Sequence, residues 1–300
     1  MTYAPALRAV LLLGAVPLAL AAQDRGERID TTLALARGGQ VELGNVSGEI
    51  RVSASDRRDV RISATIDRGR LELSVSEMRI GLRTRSVNSR QSAAYIEVQV
   101  PIGTRVHAST VSGLIEIRGT QAEVVAKSVS GRVDIRGSRE RLDIETVSGD
   151  LDLRDVQGRI DIEGVSTDIE LEQVVGEVTA ETVSGTISIT RSRLTGLRAE
   201  TVSGSVTYEG NLDASGSYRM NTHSGGITLA LPANVGATLE LETFSGRITS
   251  DFPLTLQPGE ATGRRRRMEF TLGGGGARVT AGAFSGNITI RRAAATGDRE

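Results

Sequence analysis

A serine–glycine pair recurs at nearly equal steps through this 300-residue chain and restricts what it can fold into. The step is constant from Ser112 to Ser184, and Ser166-Thr167 keeps the spacing without the glycine. It then lengthens slightly and finally doubles before Ser285. A fixed period of this size is typical of stacked repeat architectures. The marked positions, which we interpret as structural turns, are Ser112, Gly113, Ser130, Gly131, Ser148, Gly149, Ser184, Gly185, Ser203, Gly204, Ser224, Gly225, Ser245, Gly246, Ser285 and Gly286.

Apolar residues divide each period into two halves of nine. Each half has one corner residue followed by an apolar-x-apolar strand, an alternation that indicates a short β-strand. One period shows this at Val147, Leu151, Leu153, Val156, Ile160 and Ile162. Two strands cannot bury their inner faces alone, whereas stacked rungs at ~4.8 Å can. The sequence therefore predicts an all-β, parallel β-solenoid with two-strand rungs of about 18 residues; a β-sandwich is the alternative.

The repeat does not extend over the whole chain. Residues 1–21 have the charged start, apolar run and small-x-small end of a signal peptide, with a membrane anchor as the alternative. Residues 22–110 are predicted to form an irregular N-terminal β cap, with Ser47-Gly48 outside the repeat. Residues 111–292 are predicted to form about nine rungs, one of which has lost its marker between Ser245 and Ser285. We expect a protruding loop or hairpin at 251–278 and a polar tail at 293–300.

The serine column is predicted to be structural and not catalytic. A nucleophilic serine needs a base and an orienting third group, and the chain has only two histidines, His107 and His223. The apolar corner column is assigned to the core or its rim, with His223 packed there. Cysteine is absent, which excludes thiol chemistry and cysteine metal ligands. The calcium-binding β-roll pattern fails because Leu151 stands where the aspartate belongs. No catalytic residue, metal site or cofactor is therefore predicted.

Charged residues also form columns, which we interpret as self-compensated ladders facing solvent. The least compensated acids are Glu145, Glu163 and Glu181. The alternative interpretation is that such a column forms a surface that binds polysaccharide or a divalent ion. The run Arg264, Arg265, Arg266 and Arg267 lies in the irregular insert and is interpreted either as a solvated loop or as a contact for an anionic partner.

The sequence resembles the bacterial "putative adhesin" family of exported β-strand-repeat domains of unknown function. The resemblance rests on VELGNVSGEIRV at 41–52, VQVPIGTRVHASTVSG at 98–113, the TVSG series and GGGGARVTAGAFSGNITI at 273–290. It implies a solenoid-like fold and a cell-envelope or surface setting, and it brings no catalytic residues.

The favoured hypothesis is a non-enzymatic, exported protein, periplasmic or at the cell surface. It would act as an adhesin-like scaffold or binding module whose partner is an envelope glycan or protein. Net charge is -1, so no nucleic-acid partner is expected. Self-association through end rungs is a further hypothesis. The alternatives are a polysaccharide-acting enzyme that uses acids such as Glu145 and Glu163, and an envelope-stress or assembly partner that acts through the arginine run.

Overall fold

The structure is a computed structural model that describes residues 26–85, 92–253 and 266–293, and every regular element in these ranges is a β-strand. The predicted signal peptide at 1–21 lies outside the described residues, as do Arg264, Arg265 and residues 294–300 of the predicted tail. The strands are β1 Glu27–Ala34, β2 Gln40–Ser55, β3 Asp59–Ile66, β4 Arg70–Val75, β5 Arg79–Arg85, β6 Ala94–Pro101, β7 Arg105–Arg118, β8 Val124–Arg136, β9 Arg139–Arg154, β10 Gln157–Glu172, β11 Val175–Ser184, β12 Ile187–Ser203, β13 Val206–Ser224, β14 Ile227–Leu231, β15 Ala237–Thr243, β16 Ile248–Ser250, β17 Arg266–Leu272, β18 Ala277–Ser285 and β19 Ile288–Arg292.

The predicted parallel β-solenoid is confirmed. β7, β8, β9 and β10 stack in parallel with each residue beside its equivalent in the next period, as Leu142 lies beside Ile160 and Ile144 beside Ile162. Each of these strands bends at its corner, which is a Ser-Gly pair in β7, β8 and β9 and Ser166-Thr167 in β10. Its first part, such as 139–146, belongs to a first sheet, and its second part, such as 150–154, belongs to a second sheet.

The core lies between the two sheets and is almost entirely aliphatic. Leu142 and Ile144 of the first sheet and Leu151 and Leu153 of the second are at most 1% exposed. Val156 is equally buried and closes the rung at the second corner. Because inward residues alternate with outward ones, every rung adds the same apolar layer to a continuous core.

Two irregularities explain why the spacing of the corners lengthens after Ser184. A register shift between Leu194 and Gly196 adds the single extra residue that precedes Ser203. In β13, Leu212 lies beside Leu194 and Ser217 beside Gly196, so four residues loop out. The Tyr218 hydroxyl fixes this loop by accepting the Asp213 N–H at 2.7 Å and donating to the Leu194 carbonyl. Burial raises the pKa of Tyr218, which keeps this hydroxyl protonated.

The solenoid starts earlier in the chain than the sequence indicated. β2 lies directly beside β7 in parallel, with Ser47 opposite Ser112, so the Ser-Gly pair at 47–48 is part of the repeat. The chain then leaves the stack, builds β3 to β6 on the far side of β2, and crosses back to start β7. Residues 22–110 therefore contain one full rung as well as a cap in which β1, β3 and β4 run antiparallel to their neighbours.

The rungs at the C-terminal end do not follow chain order. β18 lies between β13 and β15, and β19 lies between β14 and β16. Ser285 is therefore the direct neighbour of Ser224, and Ser245 comes after it. The expectation of a rung without a marker was wrong. After β14 the chain skips one rung position and forms β15 and β16. It then reverses along β17 and forms β18 and β19 in the position that was skipped.

Part of the segment predicted to protrude is integrated into the sheet. β17 runs antiparallel along the whole of β15, with Phe270 opposite Leu239. Phe270 and Leu272 are buried, so β17 covers the end of the core where no further rung follows. Residues 254–265 of the predicted insert lie outside the described residues.

Candidate binding ridge and groove

An apolar column stands on the outer surface along the length of the solenoid. Its residues directly precede the serines of the Ser-Gly corners, and its apolar members are 38% to 51% exposed. At ~4.8 Å per rung the nine steps of this valine ridge span ~43 Å. In spatial order its members are Val46, Val111, Val129, Val147, Val165, Val183, Val202, His223, Phe284 and Phe244.

The assignment of this column to the core or its rim was wrong, and the alternation of the strand explains why. Leu142, Ile144 and Thr146 point inward, so Val147 points outward with Asp143 and Glu145. The corner bends only after Val147, at Gly149, and leaves the valine on the outer face. The odd separation of Val147 from Ile144 was visible in the sequence and would have predicted this exposure.

Aromatic rings complete the ridge at its C-terminal end. The His223 and Phe284 rings stack with centroids 4.6 Å apart, and the Phe284 and Phe244 rings at 4.9 Å, each pair within 5° of parallel. His223 is exposed in this stack, so its predicted packing in the core is also corrected. The rings stack along the rod axis, so the inner members present their edges to solvent and not their faces.

A groove runs beside the ridge, formed by the two residues that precede each valine. It consists of two concavities of about 690 Å³ and about 620 Å³, which meet at Glu163 and Gly164. The valines form one wall, a column of mostly hydroxyl residues forms the floor, and a polar column forms the other wall. The floor column is Asn45, Thr110, Ser128, Thr146, Gly164, Thr182, Thr201, Thr222, Ala283 and Thr243.

The floor hydroxyls bond mainly to backbone and not to one another. Thr222 donates to the Gly204 carbonyl at 2.9 Å, and Thr243 donates to the Gly286 carbonyl at 3.0 Å. Thr110 and Ser128 are buried, and their hydroxyls have no partner among the described residues. The same holds for Thr167, the residue that replaces glycine at the corner.

Paired and unpaired hydroxyls predict opposite effects of threonine-to-valine substitutions. Thr167→Val should raise the free energy of unfolding by about 1 kcal/mol, because the isosteric methyl removes an unsatisfied buried hydroxyl. Thr222→Val should lower it by about 1 kcal/mol, because it removes a made hydrogen bond. Urea denaturation followed by circular dichroism measures both. A shift of the same sign in both variants would contradict this account.

The polar wall carries the acids that the sequence identified as least compensated. Lys127 pairs with Glu145 at 2.7 Å, and this hydrogen bond raises the pKa of Lys127. Arg198 pairs with Glu181 at 3.0 Å, which raises the pKa of the guanidinium. Glu163 forms no ion pair with any described residue and is exposed where the two concavities meet. Of the three acids, only Glu163 is therefore uncompensated by a contact with the described part of the chain.

Acids also stand on the opposite side of the ridge, at the start of the second sheet. Asp150 is 3.4 Å from Arg132, which also lies 3.6 Å from Asp152. Asp168 accepts the backbone N–H of Thr186 at 2.7 Å and has no ion pair within the described part of the chain. At Val147 and Val165 the ridge is thus bordered by carboxylates on both sides, and at Val183 it is bordered by Glu181 on the groove side.

The remaining charge columns are extensively ion-paired. On the second sheet Arg136 pairs with Asp134 at 2.7 Å, and Arg154 lies 3.3 Å from Asp152 and 3.5 Å from Glu172. Such exposed pairs contribute little stability each, but they neutralise like charges in neighbouring rungs. Glu170, which lies beside Asp152 in the same column, is exposed and forms no ion pair with a described residue, so this column is compensated only in part.

The serines and glycines of the corners lie on the other side of the valines, at the edge between the sheets. The Ser148 hydroxyl donates to the Val129 carbonyl of the adjacent rung at 3.2 Å. No hydrogen bond between described residues joins a corner serine to a histidine: His107 contacts Gln40 at 3.0 Å, and His223 stacks on Phe284. This arrangement fits a structural turn.

The predicted arginine contact is only partly described. Arg266 begins β17, and the Arg267 side chain pairs with Glu240 across the antiparallel β15 and β17. Arg264 and Arg265 lie outside the described residues, so the hypothesis of an arginine contact stays a prediction. Within the described ranges, no cluster of three or more His, Cys, Asp or Glu side chains is suited to a metal ion. No helix in those ranges is long and apolar enough to cross a membrane.

Comparisons with known proteins support a β-repeat family. A family model described as Toastrack DUF4097 matches residues 96–216, which extend from β6 into β13. Among solved structures, the chain is similar to a "putative cell adhesion protein" from Clostridium sporogenes, at 10% identity and a TM-score of 0.26, over 89% of this chain and 100% of that one. A TM-score this low establishes neither a shared fold nor a shared function. No curated protein matches the chain.

Proposed function

We propose that this β-repeat protein is a non-enzymatic, exported module of the cell envelope that acts as an adhesin-like scaffold and binds its partner along the valine ridge and groove. The observation that carries the proposal is the ridge itself. Soluble monomers rarely expose a long contiguous apolar surface unless it serves an interaction. The fold does not require this surface, because a β-branched polar residue such as threonine would serve the same strand position.

Rigidity supports a role in binding. Each valine of the ridge belongs to a strand that is hydrogen-bonded to its neighbours in both directions, and the buried layers beneath it are aliphatic and continuous. Binding to a rigid surface costs little conformational entropy, so a shallow groove can still give useful affinity. Export is proposed from the sequence of residues 1–21 alone.

Cell fractionation with surface protease treatment tests the location. We expect the mature chain in the envelope fraction, either protected in the periplasm or cleaved at the surface of intact cells. Recovery of the full-length chain, with residues 1–21 retained, from the cytoplasmic fraction would overturn the proposal of export.

Affinity capture on envelope glycans and outer-surface proteins tests the binding role. The wild-type chain should be retained by an envelope component, and the triple variant Val147→Thr, Val165→Thr and Val183→Thr should lose most of that retention. Val175→Thr is a matched control, since Val175 is 40% exposed but lies off the ridge. Equal retention of all three proteins would show that the ridge is not the contact surface.

A further inference from the structure

We infer that the partner presents an amphipathic α-helix with basic flanks, which lies along the middle of the valine ridge between Val147 and Val183. The inference rests on the proposed binding function and adds the chemistry of the partner. Backbone hydrogen bonding, axial spacing and charge support it separately.

Backbone hydrogen bonding favours a helix over an extended segment. The ridge runs at right angles to the strands, and the strand residues on either side of each ridge valine are paired with the adjacent rungs. An extended polypeptide along the ridge would cross the strands and could not pair with them as it could with a sheet edge. A helix satisfies its own backbone and needs only side-chain contacts.

Axial spacing is compatible with a helix. An apolar stripe on a helix offers one contact level per turn, at ~5.4 Å, and the ridge offers one valine per rung, at ~4.8 Å. The difference of ~0.6 Å per level is small enough for side-chain rotamers to absorb over the three valines concerned. About seven helical turns would match eight rung steps along a longer contact.

The acidic residues beside the ridge favour a partner helix with basic residues on both sides of its apolar stripe. Glu145, Glu163 and Glu181 border the middle of the ridge on the groove side, and Asp150 and Asp168 border it on the corner side. Lys127, Arg198 and Arg132 pair with three of these acids and leave Glu163 and Asp168 without ion pairs among the described residues. These two belong to the same rung as Val165, so a lysine or arginine on each side of the stripe would be paired there.

Other occupants fit this surface less well. A second copy of this chain, packed ridge against ridge, would bring the two acidic borders together, which is a repulsive arrangement. A glycan would find branched valines and ring edges where sugars stack on flat aromatic faces.

Synthetic helical peptides of about seven turns test the inference on the full chain by fluorescence anisotropy. One peptide has a leucine stripe at i, i+3, i+4 and i+7 flanked by lysines; a second has glutamates at the flanks; a third has the first composition in a scrambled order. We expect the lysine-flanked peptide to bind at least about tenfold more tightly than either other peptide. The triple ridge variant should weaken that binding about tenfold, and Val175→Thr should not.

A second variant isolates the charge contribution. Glu163→Gln combined with Asp168→Asn keeps the shape and the acceptor for the Thr186 N–H, and it should weaken binding and reduce its salt dependence. Circular dichroism establishes that each variant is folded.

Equal binding of the lysine-flanked and scrambled peptides, or no effect of the ridge variant, would overturn the inference. So would self-association in sedimentation that disappears in the ridge variant, since it would identify a second copy as the occupant. If envelope capture depends on the ridge but no peptide binds, the proposed function stands and the helical partner does not.

Discussion

Replacing Gly149 with alanine is expected to lower the free energy of unfolding by at least about 3 kcal/mol. A β-carbon at this position would lie 1.9 Å from the carbonyl oxygen of Gly131 in the adjacent rung. That carbonyl cannot retreat, because both rungs are fixed by backbone pairing on either side of the corner. Gly149 also has a φ of 121°, which alanine rarely adopts. Close approach and backbone strain therefore act together.

The matched control is Gly274→Ala, because a β-carbon there would have no neighbour within 4 Å. Its free energy of unfolding should stay within about 0.5 kcal/mol of wild type. Urea denaturation gives the comparison, and hydrogen exchange should place the weakened amides in β8, β9 and β10 around the corner. Similar denaturation midpoints for the two variants would contradict the close contact of corners between rungs.

The glycines of the corner column are therefore explained by the stacking of rungs, which the sequence alone could only suggest. A positive φ does not explain all of these glycines, because Gly204 lacks one, and a β-carbon at Gly204 would still lie 1.9 Å from the Gly185 carbonyl. Thr167 shows the exception: it stays in register opposite Gly149 without a positive φ. A constant spacing predicts which residues are neighbours, but not how closely their backbones approach.

Register in the middle of the solenoid was predictable, and the order of rungs at its ends was not. Between Val111 and Ser203 the period itself identifies neighbours, because chain order and spatial order agree. At the C-terminal end, Ser245 and Ser285 carry the same marker, and nothing local distinguishes the outer rung from the inserted one. Only the long-range pairing of β18 with both β13 and β15 establishes the spatial order of these two rungs.

The candidate site was missed for a different reason. Valine at a corner was interpreted as buried because it is apolar, although its position in the alternation places it beside Glu145 on the outer face. The acids themselves were identified from the sequence, but their compensation depends on side-chain contacts such as Lys127 with Glu145. The columns of charged residues suggested that the acids and bases are all paired, whereas the structure shows that Glu163 forms no ion pair with any described residue.

Deleting residues 150–167 should leave a folded solenoid that is one rung, or ~4.8 Å, shorter. The deletion joins Gly149 to Asp168, which takes the place of Asp150, and Ile169 and Leu171 take the places of Leu151 and Leu153. Every inward and outward column is preserved, so the loss is one layer of nearest-neighbour contacts. We expect the β-sheet circular dichroism spectrum to persist, the denaturation midpoint to fall modestly, and small-angle scattering to report a shorter rod.

Deleting 150–168, one residue more, should abolish cooperative unfolding and give aggregated protein. The junction then places Glu170 at the inward position of Leu151 and turns Ile169 to solvent, and a one-residue slip moves every side chain of the strand to the opposite face. A strand that is one residue too long can bulge, as the longer rungs of β12 and β13 do, but one that is too short has no slack to restore the register. The unpaired carboxylate would then be buried in an aliphatic layer, at a cost that one rung cannot offset. If both deletions fold equally well, the columns are not fixed by the repeat period, and the ridge, which depends on that period, would not be continuous.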